Sequence, residues 1–229
     1  MDDVLYEARL LAASGVKELI VVAQDTCRYG TDFPEHKRLL PELLRQLCQI
    51  DGIHWVRVHY LYPDEIDDEL IDVIAQEEKI VKYLDIPIQH CNTKILKLMN
   101  RRGDGAFLRE LRLERVGAFA FSPEEGTPAA EMEFVDNEIA VKRAETIEMI
   151  QSAIMDDWCN SMIGKTMEIL VDGFDEELEQ FYGRSYADSP DIDGRVWIAT
   201  DEPIREGQFV TVTIDGCVDG DLSGYIREE

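Results

Sequence analysis

Two periodicities alternate along residues 1–122, and this alternation constrains the fold more than any other feature of the chain. Val4, Leu5, Ala8, Leu11 and Ala12 recur at helical spacing and stop at Gly15, a residue suited to the position just past a helix end. ELIVVAQ (18–24) follows as a short continuous apolar run, the pattern of a strand covered on both faces. A second helical stripe over about 37–49 carries Leu39, Leu40, Leu43, Leu44 and Leu47 and ends at Asp51-Gly52. HWVRVHYLY (54–62) reads as the next strand. Asp64 is placed to cap a helix over 65–77, whose apolar stripe is Ile66, Leu70, Val73 and Ile74. KYLDIPIQ (82–89) reads as a strand, Asn92 as the cap of a helix over 93–101, and VGAFAFS (116–122) as a further strand. Strands and helices in this order predict βα units and a parallel sheet, either doubly wound or barrel-like.

The pattern then changes. SPEEGTPAAEMEF (122–134) is a loop with two prolines, and Asp136-Asn137-Glu138 open a long helix to about 162 with Ile147, Ile150, Ile154 and Trp158 along one face. Past Gly164, KTMEILVDG, QFYGRSYAD, GRVWIAT and GQFVTVTIDG are short alternating segments between turn signals, which predicts a small antiparallel barrel or sandwich. The expected division is an α/β domain over 1–162 and an all-β domain over 163–229. No run reaches the eighteen or so apolar residues of a membrane span. MDDVLYEARLL is acidic and amphipathic, unlike a signal peptide, so a cytosolic protein is expected.

Side chains alternate across a strand, so each predicted strand divides into two faces. Leu84, Ile86 and Ile88 share one face of 84–89, with Asp85, Pro87 and Gln89 opposite. Val56, Val58 and Tyr60 oppose Arg57 and His59, while Phe119 and Phe121 oppose Ala118, Ala120 and Ser122. One reading gives the polar and small faces to a barrel lumen holding a polar ligand. The other makes Arg57 and Asp85 a buried structural ion pair. Parallel sheets bind ligands at the C-terminal ends of their strands. Those ends are Gln24-Asp25-Thr26, Tyr62-Pro63-Asp64, Gln89-His90-Cys91 and Ser122-Pro123-Glu124, all polar. Gln24, Asp25, Gln89 and Ser122 are therefore the candidate binding residues. No phosphate loop, GxGxxG, GxSxG or HExxH occurs. Arg101-Arg102, after the predicted helix, suit its C-terminal dipole.

Charge and cysteine usage narrow the partners. The formal net charge is −25. This opposes tight non-specific binding to nucleic acid and suits a basic partner. Residues 163–229 hold 5 basic and 17 acidic side chains, concentrated in DGFDEELE (172–179) and DSPDID (188–193). Either a solvated face or a docking surface for a strongly basic protein fits this density. Cys27, Cys48, Cys91, Cys159 and Cys217 show no CxxC, CxxxCxxC or zinc spacing, so reduced thiols and no local metal site are expected.

VKELIVVAQDTCRYG, VRVHYLYPDEI, KYLDIPIQHCNTKILKLMNRRG, RVGAFAFSPEEGTPAAEM and GRSYADSPDIDG together resemble the radical S-adenosylmethionine methylthiotransferases. The resemblance is strongest to the type that modifies an aspartate of a small-subunit ribosomal protein, and it covers nearly the whole chain. It implies a partial (βα) radical-SAM barrel followed by a TRAM domain. It also implies S-adenosylmethionine and two [4Fe-4S] clusters as cofactors; the acidity of residues 163–229 favours a basic ribosomal protein as substrate, with tRNA-adenosine methylthiotransfer or a non-catalytic ribosomal-protein-binding module as the alternatives. Two departures accompany it. The family's three-cysteine N-terminal domain and its CxxxCxxC, which would precede Met1, do not occur in this sequence. A βα unit with a Gly-Phe-Pro-Gly-Glu-like motif, expected near Leu111 and Arg112, is also missing. The resulting expectation is that residues 1–229 alone generate no deoxyadenosyl radical.

Overall fold

The computed structural model describes residues 1–99 and 113–227. The predicted end of the fourth helix beyond residue 99, Arg101-Arg102, and Leu111 and Arg112 lie outside the described residues.

The N-terminal part is built on one parallel strand pair. Helix α1 (Asp2–Ala13) turns at Gly15, whose φ of +100° is left-handed, into β1 (Glu18–Val21). After a 3-10 turn at Thr26–Arg28 come α2 (Leu40–Cys48) and β2 (Trp55–Val58), which pairs with β1 in parallel register from Glu18↔Trp55 to Val21↔Val58. α3 (Asp68–Gln76) and α4 (Thr93–Leu98) follow. Leu5 and Ala8 of α1, Leu40, Leu43, Leu44 and Leu47 of α2, and Leu70, Val73 and Ile74 of α3 form one core with Leu19, Val56 and Val58. The stripes read for α2 and α3 are the faces buried here, whereas of the α1 stripe Leu5 and Ala8 are buried and Val4 and Leu11 are exposed. α3 is capped by Asp67, whose carboxylate accepts the Leu70 N–H at 2.9 Å, not by Asp64. Asp67 sits three residues before that N–H, the reach a capping carboxylate needs. Asn92 caps α4 as predicted, accepting from Lys94 N–H at 2.9 Å.

Two predicted strands do not form among the described residues. The 79–85 segment starts along β2: Val56 N–H donates to Lys79 O, Val81 N–H to Val56 O, and Leu61 N–H to Asp85 O. Between those contacts Tyr83 turns toward the C-terminal domain. Pro87 then has no N–H to give a ladder, and Gln89 adopts a φ of +66°, so 82–89 forms no strand. Leu84 is exposed, contrary to its expected helix-packing role. Residues 116–122 likewise form no strand, and Phe119 is 92% exposed with Phe121 also open to solvent.

Helix α5 (Asn137–Met162), capped by Asp136, leads into a closed five-stranded barrel. Its strands are β3 (Thr166–Asp175), β4 (Gln180–Arg184), β5 (Val196–Ala199), β6 (Phe209–Val218) and β7 (Asp221–Tyr225). They are ordered β3-β4-β5-β7-β6, with β3–β6 closing the ring and β5–β7 its one parallel pair. Met167, Ile169 and Val171 of β3 and Val210, Val212 and Ile214 of β6 alternate inward, as the period of two requires. Closure brings backbones close: a Cβ on Gly183 would lie 2.3 Å from Leu170 O. Met155, Trp158, Cys159 and Met162 of α5 pack on this core. Farther up the helix, Ile147, Ile150 and Ile154 are exposed, so the predicted apolar stripe is covered only near its C-terminal end.

Candidate functional site

The predicted rim is partly assembled. Thr26, just past β1, donates its hydroxyl to the carbonyls of His59 (2.7 Å) and Tyr60 (2.9 Å), tying the end of β1 to the end of β2. Asp85 accepts the Tyr60 N–H at 3.0 Å, and its carbonyl accepts Leu61 N–H at 2.9 Å, bringing 85 to the same place. Tyr60 (φ +57°) holds left-handed backbone there, and Gln89 (φ +66°) does so four residues past Asp85. Gln24 and Gln89 are exposed, and Asp25 is half-buried. Ser122 is exposed in the irregular 116–122 segment, and no hydrogen bond of the described residues seats it at this rim. Cys27, beside Asp25, has its thiol pushed up to about 11, first by burial and then by the Asp25 charge.

The polar face of β2 has a different role from either one read in the sequence. Arg57 is fully buried, and its partner is Glu18, not Asp85: Nε donates to Glu18 Oε1 at 2.8 Å. Its other nitrogens reach the carbonyls of Tyr186 (2.9 Å) and Ser185 (3.3 Å), in the loop between β4 and β5. His59 Nε2 lies 3.0 Å from Ser189 Oγ of the same loop. Glu18 Oε2 accepts from Arg184 at 2.6 Å, and Arg184 in turn holds Asp172 at 2.7 Å. Glu18 thus bridges two guanidinium groups across the two parts of the chain. Arg184 is held above its ordinary value because, although burial opposes its charge, Asp172 and Glu18 more than offset it.

The loop itself explains why GRSYADSPDIDG has its composition. Asp188 accepts from Ser185 N–H at 3.0 Å and from Arg115 at 2.6 Å. Asp193 accepts Tyr83 O–H at 2.9 Å and Ser189 N–H at 2.8 Å, and lies 3.3 Å from Arg115. Two of the three aspartates of DSPDID are therefore spent inside the molecule, not on a docking surface, because a loop buried against a sheet must satisfy its own backbone and its neighbours' cations. Trp55, Val81, Tyr83, Leu170 and Phe209 fill the remainder of the junction, with the Trp55 and Phe209 rings edge to face at 4.8 Å. DGFDEELE differs: Glu176, Glu177 and Glu179 are exposed on the β3–β4 hairpin.

Sequence reasoning missed Glu18, Tyr83, Arg115 and Arg184. Glu18 did carry a signal: a carboxylate opening an apolar strand needs a buried cationic partner. Nothing in the sequence pointed to that partner coming from residue 184.

Residues 163–226 match the TRAM domain family model. Fold and match together define an α/β part, built on one parallel strand pair, joined to a TRAM barrel. Over 98% of its length the chain is 39% identical to the ribosomal protein uS12 methylthiotransferase RimO of Lachnoclostridium phytofermentans and covers 60% of that protein. It is 37% identical to the protein of the same name from Thermoanaerobacter sp., over 98% of this chain and 60% of that one. With the Clostridioides difficile protein of that name it shares 37% identity, over 100% and 60%. The chain is thus a relative of the uS12 methylthiotransferases, and it spans about 60% of the length of the curated relatives it matches.

The described residues do not fit the iron–sulfur clusters that this kinship implies. No group of three His, Cys, Asp or Glu among them is arranged to hold a metal. Cluster ligation needs accessible thiolates. Cys27, Cys48 and Cys159 are buried, with their thiols pushed up to about 11, 11 and 12, chiefly by burial. No helix of the described residues is long and apolar enough to cross a membrane.

Proposed function

We propose that this chain serves methylthiotransfer to the β-carbon of an aspartate in a small-subunit ribosomal protein in the cytosol. Its contribution is part of the barrel wall and the TRAM domain, and residues 1–229 by themselves do not generate the radical. The observation that carries this reading is the 35–39% identity to uS12 methylthiotransferases over nearly the whole chain. The radical chemistry would come from S-adenosylmethionine and two [4Fe-4S] clusters. The thiolates that such clusters need are not offered by the buried Cys27, Cys48 and Cys159.

In this reading Gln24, Asp25 and Gln89, with Ser122, form the S-adenosylmethionine and substrate rim. The convergence of the ends of β1 and β2 with Asp85 supports Gln24 and Asp25, which adjoin Thr26. Substrate docking falls to the TRAM barrel. Its exposed acidic hairpin suits a Lys- and Arg-rich ribosomal protein and opposes the phosphates of tRNA. A non-catalytic docking module for that ribosomal protein is the second reading, favoured by the burial of Cys27, Cys48 and Cys159.

Two measurements test these statements. Residues 1–229 reconstituted with iron and sulfide should cleave S-adenosylmethionine no faster than a protein-free control; cleavage above background refutes the claim of inactivity. In pull-downs at moderate salt the chain should retain the basic ribosomal protein and not tRNA. Retention of tRNA alone refutes the choice of substrate.

A further inference from the structure

The end of β2 is held from the TRAM side and from the rim side at once. His59 Nε2 lies 3.0 Å from Ser189 Oγ, in the loop between β4 and β5, while the carbonyl of the same histidine accepts the Thr26 hydroxyl at 2.7 Å. Tyr60, next in the chain, accepts that hydroxyl at 2.9 Å and the Thr26 N–H at 3.3 Å. Thr26 directly follows Gln24 and Asp25. A second route runs alongside. Tyr83 donates its hydroxyl to Asp193 at 2.9 Å, and Asp85, two residues on, accepts the Tyr60 N–H at 3.0 Å. Asp193 ties the two routes together at the loop: it accepts the Ser189 N–H at 2.8 Å and gives its own N–H to the Ser189 carbonyl at 3.2 Å. At the other end both routes meet on Tyr60.

Resting on the reading that Gln24 and Asp25 line a binding rim, we propose that the 185–193 loop of the TRAM barrel positions that rim. Ser189 acts through His59, and Asp193 acts through Tyr83 and Asp85. All four are positioning residues, because each acts on the rim through another group. Ser189, His59 and Thr26 are buried, so no water stands ready to replace a partner that is lost. Tyr60 holds a φ of +57°, a conformation that a tyrosine keeps only where its surroundings impose it. The contacts of His59, Thr26 and Asp85 are what impose it here.

The TRAM barrel therefore does more than carry a docking surface. Its loop completes the ends of β1 and β2, so the rim takes its geometry only while the barrel is seated. β4 leads from the exposed acidic hairpin directly into this loop, which makes docking surface and rim parts of one continuous connection.

Amide-resolved hydrogen exchange by NMR on residues 1–229, without ligand, tests the coupling. Ser189→Ala and Tyr83→Phe each delete one hydroxyl and keep the rest of the side chain. Each should speed exchange of the Thr26, Tyr60 and Leu61 amides about fivefold, and the double variant at least about tenfold, as buried hydrogen bonds of ordinary strength imply. The Leu43 and Leu44 amides of α2 should stay within about twofold of the parent. In the double variant the HN–Hα coupling of Tyr60 should also change, reporting departure from its left-handed φ. His54→Phe is the control. It removes the 2.8 Å contact with Glu168, another bond between the two parts but at the opposite end of β2, and should leave the rim amides as they are. Rim amides as slow as the parent's in the double variant overturn the proposal. So does acceleration spread equally over α2, or an equal effect from His54→Phe, since either marks a bond that only stabilises. Failure of the rim reading is seen separately, as unmoved Gln24 and Asp25 signals on titration with S-adenosylmethionine.

Discussion

Removing the Glu18 carboxylate tests whether the two parts of the chain are held by a buried charge network. Glu18 is 5% exposed and stands between Arg57, at 0%, and Arg184, at 11%. Glu18→Ala leaves a fully buried guanidinium without its counter-charge, a change that costs about 3–5 kcal/mol when a buried pair loses one member. Arg57 keeps the Ser185 and Tyr186 carbonyls and Arg184 keeps Asp172, so the lower end of that range applies. At about 2–4 °C per kcal/mol for a chain of this size, a loss of about 3 kcal/mol lowers Tm by about 6–12 °C. Glu18→Gln preserves shape and one hydrogen bond and should cost about half as much, since a neutral amide can still accept from a guanidinium.

The assay is urea unfolding followed by tryptophan fluorescence, paired with hydrogen exchange of the 185–193 amides. Trp55 lies in the junction itself and Trp158 against the barrel core, so fluorescence reports both regions. Glu18→Ala should shift the urea midpoint and speed exchange in 185–193, because that loop sits on Arg57. Asp172→Asn, whose carboxylate is more open, should cost under about 1 kcal/mol. Stability of Glu18→Ala within about 0.5 kcal/mol of the parent refutes the reasoning. So does a full loss that leaves exchange of 185–193 unchanged.

Two further outcomes follow from the same geometry. His59 is held below its ordinary value of 6.5, first by burial and then by the Arg57 charge, against the opposing pull of Asp85, Asp193 and Glu18. A depressed histidine favours the folded state while neutral. Its contribution is therefore complete above about 6.5 and is lost as pH falls below that value. The stability of His59→Gln should fall less steeply than the parent's through that acid range; parallel pH profiles would contradict this. Gly183→Ala should destabilise the barrel by about 1–3 kcal/mol, since its Cβ would meet the Leu170 backbone as well as the buried Ile169 side chain. Gly164→Ala at the end of α5, with open space around it, serves as the comparison for backbone strain alone. Equal losses in the two variants would argue against close packing of β3 on β4.

How far the sequence led depends on whether a feature was local. The stripes of α1, α2 and α3, the Asn92 cap, the turn at Gly15 and the inward alternation of β3 and β6 were all legible, because each follows from residues within a few positions of one another. The change of period after Gly164 likewise announced the barrel. Tertiary structure decided the rest. Whether 82–89 and 116–122 form strands depends on neighbours able to ladder with them, and an alternating pattern is the same with or without such partners. The polar face of β2 could serve a ligand, an Asp85 ion pair or another domain equally well until residues 184–193 were seen resting on it. DSPDID showed its charge in the sequence but not its use. Asp188 and Asp193 turned inward because the buried loop, Arg115 and Tyr83 required acceptors there. Charge and periodicity are properties of the chain, whereas the partner of a buried charge is settled only when segments more than a hundred residues apart come together.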